Sequence, residues 1–348
     1  MATSQSGQPD FGLVVKRPDE LPFSCIVLCE NEMISAKHLT DATLVLASGD
    51  AHDQLHISAL CRQLHIKCVY VIEYIPETRY QIASLSTKNP VILLRRLLYI
   101  RHYEQKRITA FKLCDGLQTN GTPANQQYHA VKNRLLYFDT RVSKQQVIGD
   151  ADLGARLDNL LQEKPLRLAF SGRLIRMKGA DHLIKLAQLM KSKGASFHLT
   201  IYGTGDLDSE MRAEITAHGL ENEVSMPGAV DFNTRLIPEI KDKVDLFVCL
   251  HRQSDPSCTY LETLSCGVPI VGYKNRAFAG ILELADIGWG TKLNHLDEIA
   301  SIIAHLDTNR KELAEKSRNS VRFARLHDFE TTFQNRIDHL LSLTRLNP

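Results

Sequence analysis

The chain has no pair of cysteines in a CxxC spacing, which removes the commonest zinc-knuckle and dithiol motifs. Its 8 cysteines lie mostly in apolar runs, such as Cys249 in DLFVCL and Cys68 in IKCVYVI. They read as buried thiols of a reducing compartment. No apolar stretch approaches the roughly 18–20 residues needed to cross a bilayer. The opening MATSQSGQPDFG is polar and lacks the apolar segment of a secretory leader, so the expected location is cytoplasmic. A dominant charge is missing too. The 42 Lys and Arg against 40 Asp and Glu leave a net +2, too little to argue for a nucleic-acid partner. There is no internal repeat, no low-complexity tract, no complete GxGxxG and no P-loop lysine.

Length and pattern remain. A chain of 348 residues suggests two domains of roughly 100–200 residues each. Short apolar, β-branched runs alternate with helical patterns, the signature of parallel sheets covered by helices. In the first half the expected strands are 25–29, 43–48, 68–74, a short run near 116–119, and 134–138. Helical patterns cover 53–65 and the long stretch 91–113. Residues 139–165 are polar and end at Pro165, as a linker with a short helix would. A second strand series follows at 166–172, 197–203, 223–228, 245–250 and 268–273, and two helices near 309–327 and 329–345 close the chain. Two doubly wound units imply a cleft, with ligands outside the carboxyl ends of the strands.

Three turns at those ends carry chemistry. In FSGRLIRMKGADHL (170–183) a strand ends at Ser171-Gly172, and a helix is expected from about Gly179. The loop bears Arg173, Arg176 and Lys178, three cations beside the positive end of a helix, which suits a phosphate. In IYGTGDLDSEM (201–211), Gly203 and Gly205 allow close backbone approach, and Asp206 or Asp208 is the expected helix cap. In HRQSDPSCTYLETLSCG (251–267), Asp255 or Ser257 is the expected N-cap and Pro256 suits a helix entrance. The amides around Cys258 and Thr259 would face an anion. Glu262 lies one turn further on, apart from the core-facing Leu261, Leu264 and Ser265, where a carboxylate can accept two ribose hydroxyls. Each turn taken singly also reads as ordinary loop or solvated helix. All three at strand ends of one sheet describe a nucleotide-diphosphate site.

These residues resemble the family-4 retaining glycosyltransferases of the GT-B fold, also called glycosyltransferase group 1. The resemblance covers roughly 165–345. GRLIRMKG matches the family's GRxxxxKG loop, IYGTGDL its glycine turn, and the segment 245–273 its acidic ExxxxxxxE stretch and following strand. It implies an α/β GT-B architecture, two Rossmann-like doubly wound domains facing a central cleft. Residues 1–150 would form the acceptor-binding domain and 151–328 the nucleotide-sugar-binding domain, with 329–348 a helix packing back on the first. Donor binding would fall to Gly172, Gly203, Gly205, Asp255, Ser257, Cys258, Thr259 and Glu262. Arg173 and Lys178 would stabilise the leaving diphosphate, and Glu262 would hold the ribose. The motif's first Glu should stand at Ser254, and the neighbouring Asp255 is assigned its sugar-binding role. The family's opening strand and glycine loop have no counterpart in MATSQSGQPDFGLVVKRP. Where many relatives place a His in the first domain, VYVIEYIPETR presents Glu73, either a catalytic carboxylate or a strand-end Glu paired with Arg79.

The implied activity is retaining transfer of a hexose-type sugar from a UDP- or GDP-linked donor to a carbohydrate or glycolipid acceptor, with no metal and no other cofactor. A sugar-nucleotide epimerase and a non-catalytic nucleotide-sugar-binding module are the alternatives. The literal DxD string Asp150-Ala151-Asp152 lies in the polar linker and reads as solvated. Arg95, Arg96, Arg101, Lys106 and Arg107 lie on the amphipathic stretch 91–113. That stretch reads as a core helix with a solvated basic face, or as a peripheral contact with the inner face of the cytoplasmic membrane.

Overall fold

The computed structural model describes residues 16–29, 32–162 and 164–344. The first unit runs β1 (Leu44–Ser48), α1 (Ile57–Gln63), β2 (Lys67–Ile72), α2 (Pro76–Ser86), α3 (Pro90–Leu113), β3 (Gly116–Asn120), α4 (Gly121–Gln127) and β4 (Arg134–Tyr137). After α5 (Asp150–Leu160) the second unit runs β5 (Leu166–Ser171), α6 (Leu183–Ser192), β6 (Phe197–Tyr202), α7 (Asp208–Ala217), β7 (Val224–Gly228), α8 (Ile237–Lys243), β8 (Leu246–Cys249), α9 (Thr259–Ser265), β9 (Ile270–Tyr273), α10 (Arg276–Leu284) and β10 (Gly288–Thr291). The chain closes with α11 (Leu296–Thr308), α12 (Arg310–Arg325) and α13 (Phe329–Thr344).

Both sheets are parallel throughout, in the orders β1-β2-β3-β4 and β10-β9-β8-β5-β6-β7. Parallel strands covered on both faces need apolar residues on both. That is why LFVC in β8 and IVGY in β9 are buried at every position. In the second sheet α6 and α11 close one apolar layer, while α8, α9 and α10 close the other. In the first, Phe111, Tyr70 and Tyr128 sit at the centre.

Two pieces of chain pass between the units, the segment after β4 and the turn before α13. They lie side by side, with the amide of Phe329 donating to the Val142 carbonyl at 2.9 Å and the Lys144 amide to Glu330 Oε2 at 2.7 Å. Helix α13 then packs on the first sheet. The fully buried carboxamide of Gln118 in β3 donates to the Arg336 carbonyl at 2.9 Å and accepts from Arg336 Nε at 2.8 Å.

Several expectations need correction. CIVLC (25–29) forms no strand, and Ile26 and Val27 are 71% and 74% exposed. A β-branched run becomes a strand only where a neighbour pairs with it. Strand β10 reads GWGT and was invisible to a hydropathy pattern; pairing with β9 makes it a strand. The thiols of Cys25 and Cys29 are exposed, unlike those of Cys61, Cys68, Cys249 and Cys266. Arg107 is not on a solvated face but is 1% exposed, paired with Glu104 at 3.3 Å. The segment compared with the family's opening strand lies largely in residues 1–15, outside the described residues. No helix of the described residues is long and apolar enough to cross a membrane.

Candidate functional site

Strands β5 and β8 are neighbours, so the loops leaving their carboxyl ends meet. The Arg252 amide donates to the Met177 carbonyl at 3.1 Å, fastening the two loops together. Gly179, between two tight turns, has φ +74°, and a Cβ there would stand 2.1 Å from the Leu250 carbonyl oxygen. This close approach brings Lys178 to Asp255, with Nζ 3.6 Å from Oδ2 and both side chains largely buried. The other oxygen, Asp255 Oδ1, is buried without a hydrogen-bond partner, which leaves an acceptor open beside the ammonium group.

The glycine turn after β6 supports the same loop from behind. Gly203, at φ +123°, lies so near Gly172 that a Cβ would stand 2.0 Å from its carbonyl oxygen. Leu174 then donates to the Thr204 carbonyl at 2.9 Å, and Leu207 to Leu174 at 3.1 Å. Gly172, Gly203 and Gly205 are thus brought together, with the neighbouring loop as the immediate packing partner. The expected caps do not form. Leu207 precedes α7 without a side-chain cap, and Asp208 pairs with Arg212 instead. Helix α6 begins at Leu183, after two short turns, rather than near Gly179.

The three cations of 170–178 have different surroundings. Arg173 is exposed. Arg176 is 3.8 Å from Asp181, a carboxylate already gripped by Arg252 at 2.7 and 3.0 Å. Lys178 alone reaches into the cleft face beside Asp255.

Helix α9 carries Glu262. Cys258 rather than Asp255 or Ser257 takes the cap position, with no side-chain cap, and the Ser257 hydroxyl donates to Thr259 Oγ1 at 3.1 Å. Every residue from Tyr260 to Ser265 is buried, so the helix has no solvent-facing side for Glu262 to occupy. Glu262 is 8% exposed and accepts from Arg141 Nε at 2.8 Å. Burial raises its carboxyl above the usual range, and Arg141 offsets part of the rise. Arg141, from the crossing segment, also lies over the Phe232 ring at 3.6 Å. The half-buried Cys258 thiol is pushed up to about 12, by burial first and then by Glu262, Asp139 and Glu73.

Glu73 faces this array from the first unit. Its amide, at the end of β2, donates to Asp50 Oδ2 at 2.8 Å, and the next amide, of Tyr74, donates to the same oxygen at 3.3 Å. Arg79 pairs with Asp50 at 2.8 Å, not with Glu73. The Glu73 carboxyl is raised to about 7. Burial is the main cause and Asp50 the next; a hydrogen bond with Asn120 opposes them, and Asp255 and Asp139 add to the rise. Its charge is therefore felt across the cleft. The Tyr74 phenol behaves alike, raised by burial, by Glu73 and by Asp255, with Arg173 opposing.

The structure thus pairs Lys178 with Asp255 and brings Glu73 within electrostatic reach of Asp255, and Cys258 within that of Glu262 and Glu73. Sequence reasoning missed Arg141, Arg252, Arg276 and Glu77. Only Arg252 had a local signal, its place at the end of β8. Among the described residues no group of three or more His, Cys, Asp or Glu side chains is placed to hold a metal ion.

Residues 155–323 match the family model described as "Glycosyl transferases group 1". The amylovoran biosynthesis glycosyltransferase AmsK of Erwinia amylovora is 26% identical over 165 residues, 43% of this chain and 38% of that protein. Among solved structures, Anabaena Alr3699/HepE in complex with UDP aligns at a TM-score of 0.63 and 17% identity, covering 88% of this chain and 80% of that one. A TarM variant of S. aureus, in complex with Fondaparinux, alpha-GlcNAc-glycerol and UDP, aligns at 0.60 and 14%, covering 89% and 57%. WaaG, a glycosyltransferase involved in lipopolysaccharide biosynthesis, aligns at 0.55 and 16%, covering 78% and 74%. The chain thus spans well under two thirds of the length of AmsK and of TarM. The resemblance carried by the motifs of the second half holds, and the fold is GT-B.

Proposed function

We propose that this protein is a retaining glycosyltransferase. It would move a hexose-type sugar from a nucleotide-diphosphate donor, most simply UDP-linked, to a hydroxyl acceptor in polysaccharide, lipopolysaccharide or glycolipid synthesis. The observation that carries this reading is the paired Lys178 and Asp255 beside the buried Glu262, within the segment that matches the family model. The UDP in the Alr3699/HepE and TarM complexes supports a uridine donor by analogy of fold.

The donor lies against the second unit. As the bond from the sugar C1 to the diphosphate breaks, negative charge grows on the leaving oxygen. Lys178 and Arg173 offset that charge without a metal. Glu262 exchanges Arg141 for the ribose hydroxyls, and the open Asp255 Oδ1 accepts from a sugar hydroxyl. The acceptor oxygen bonds to C1 on the face the diphosphate leaves, and its proton passes to the departing phosphate. Glu73 orients the acceptor hydroxyl and stabilises positive charge at the reacting carbon.

A groove of about 490 Å³ between α2 and α3, lined by Tyr74, Ile82, Ala83, Tyr99 and the guanidinium groups of Arg79 and Arg96, supports a glycolipid acceptor. The protruding start of α3 exposes Val91, Leu94 and Leu98 among Arg95, Arg96 and Arg101, and supports peripheral contact with anionic lipid at the cytoplasmic membrane face.

The test is a thermal-shift screen of UDP- and GDP-linked sugars, followed by NMR of the product anomer. One donor should raise the melting temperature, and Lys178→Ala and Glu262→Ala should each abolish its turnover. Full activity in both variants would sink the site assignment. Isomerised sugar formed without an acceptor would indicate an epimerase, and binding without turnover a carrier module.

A further inference from the structure

The donor turn carries Ser254 where its acidic pattern would have the first carboxylate, and the carboxylate is displaced to Asp255. At Ser254 the structure brings in a carboxylate from the other unit. The Ser254 hydroxyl donates to Glu77 Oε1 at 3.2 Å, and Glu77 stands at the start of α2 in the first unit. Arg276 Nη1 holds Glu77 Oε2 at 3.0 Å, and Gln81 Nε2 donates to Oε1 at 3.3 Å. Gln81 also accepts from the Ser254 amide at 3.1 Å. Two residues of α2 therefore engage the amide and the hydroxyl of one buried residue in the donor turn, next to Asp255 and its partner Lys178.

We infer that Glu77 supplies, from the first unit, a second sugar-binding carboxylate beside Asp255, at the place in the donor turn that Ser254 occupies. The inference rests on the proposed nucleotide-sugar reading. Three donors fix the carboxylate in place. Oε1 already accepts twice, whereas Oε2 accepts only from Arg276 and keeps acceptor capacity for a hydroxyl. The Glu77 side chain is 42% exposed, so a ligand can reach it from solvent. Ser254 is 2% exposed and too short to reach a sugar itself. A carboxylate attached to the first unit is in position only while α2 rests on the donor turn.

A charge-relocation experiment tests this against a purely mechanical latch. UDP affinity and UDP release from UDP-glucose, UDP-galactose and UDP-N-acetylglucosamine are measured for the full chain and its variants. Glu77→Gln, which keeps the size and most of the hydrogen bonding, should lower turnover of the preferred donor about 100-fold and leave UDP affinity within twofold. Glu77→Ala should fall at least as far. The double variant Glu77→Ala with Ser254→Glu returns a carboxylate to the same place from the other unit and should recover at least tenfold over Glu77→Ala. The alanine side chain has no group to bond to the new carboxylate, so a latch between these two positions stays broken in that variant. Wild-type turnover in Glu77→Gln, or a double variant no better than Glu77→Ala, overturns the inference while intact UDP binding leaves the nucleotide-sugar reading standing. Absence of UDP binding by the wild-type chain overturns both.

Discussion

Arg141 and Glu262, 121 residues apart in sequence, form an ion pair at 2.8 Å that joins the crossing segment to helix α9. The carboxylate is buried and the guanidinium half exposed, so the pair is not a solvent-screened surface contact at the Glu262 end. Removing Arg141 leaves a buried carboxylate short of a partner, which costs about 1–3 kcal/mol. Glu262 already has a raised pKa. A raised carboxyl favours folding while protonated and loses that contribution as pH rises through its folded value. Arg141→Ala raises it further. The melting temperature of this variant should therefore fall short of wild type by more at pH 8 than at pH 5. An equal deficit at both values, read by calorimetry, would refute the pairing as the cause.

Glu73 has the same sign of shift, to about 7, with consequences for rate as well as stability. Transfer that needs its carboxylate should climb as pH passes through about 7. Glu73→Gln should lower kcat by roughly 10²–10⁴, the usual range for a positioned acid or base, and should flatten that limb of the profile. UDP binding should be untouched. Between the usual carboxylate range and about pH 7, the wild-type chain should lose stability relative to Glu73→Gln. A variant that keeps the wild-type limb near pH 7 would remove Glu73 from the reaction.

Gly179→Ala tests the junction of the two phosphate-side loops. The left-handed backbone alone costs about 1–2 kcal/mol for a residue with a Cβ. The Leu250 carbonyl at 2.1 Å adds a backbone clash. A loss near 2 kcal/mol should lower the melting temperature by about 4–8 °C. Turnover should suffer beyond the stability loss, because Lys178 precedes this glycine. Gly194→Ala is the control: it has a similar φ of +75° but nothing near its Cβ.

The protruding half of α3 gives a separate measurement. Between Glu77 and Glu104 the chain has no acidic residue, while Arg79, Lys88, Arg95, Arg96 and Arg101 lie in that interval. Reversing Arg95 and Arg96 to Glu should weaken sedimentation with phosphatidylglycerol vesicles by tenfold or more, with no change in the UDP-induced thermal shift. Unchanged sedimentation would discard the membrane contact.

How much of this was legible in the sequence depended on how local each signal was. Strands β8 and β9 are buried at every position and read as apolar runs, while β5 and β6 keep an apolar pattern broken only by Arg167, Ser171, His198 and Thr200. Strand β10 has two glycines in four residues and is defined by its neighbour. The run 25–29 shows the reverse case, β-branched but unpaired. In the site, Lys178, Asp255 and Glu262 were found because short motifs hold them at strand ends. Their partners were not. Arg141 is 121 residues from Glu262, and Glu77 is 177 residues from Ser254, distances at which no spacing rule applies. The burial of Glu262 was not legible because both faces of α9 are covered, one by the sheet and the other by α12.

The paired crossings beside Val142 and Phe329 have a mechanical consequence. A single connecting strand would act as a swivel, leaving three rotations free. Two adjacent strands, hydrogen-bonded to each other, resist twisting and leave chiefly one bend, as two pins on a door do. With the axis fixed, sideways displacement of α2 across the donor turn is resisted. Glu77 and Ser254 are thereby held in one register across the two units.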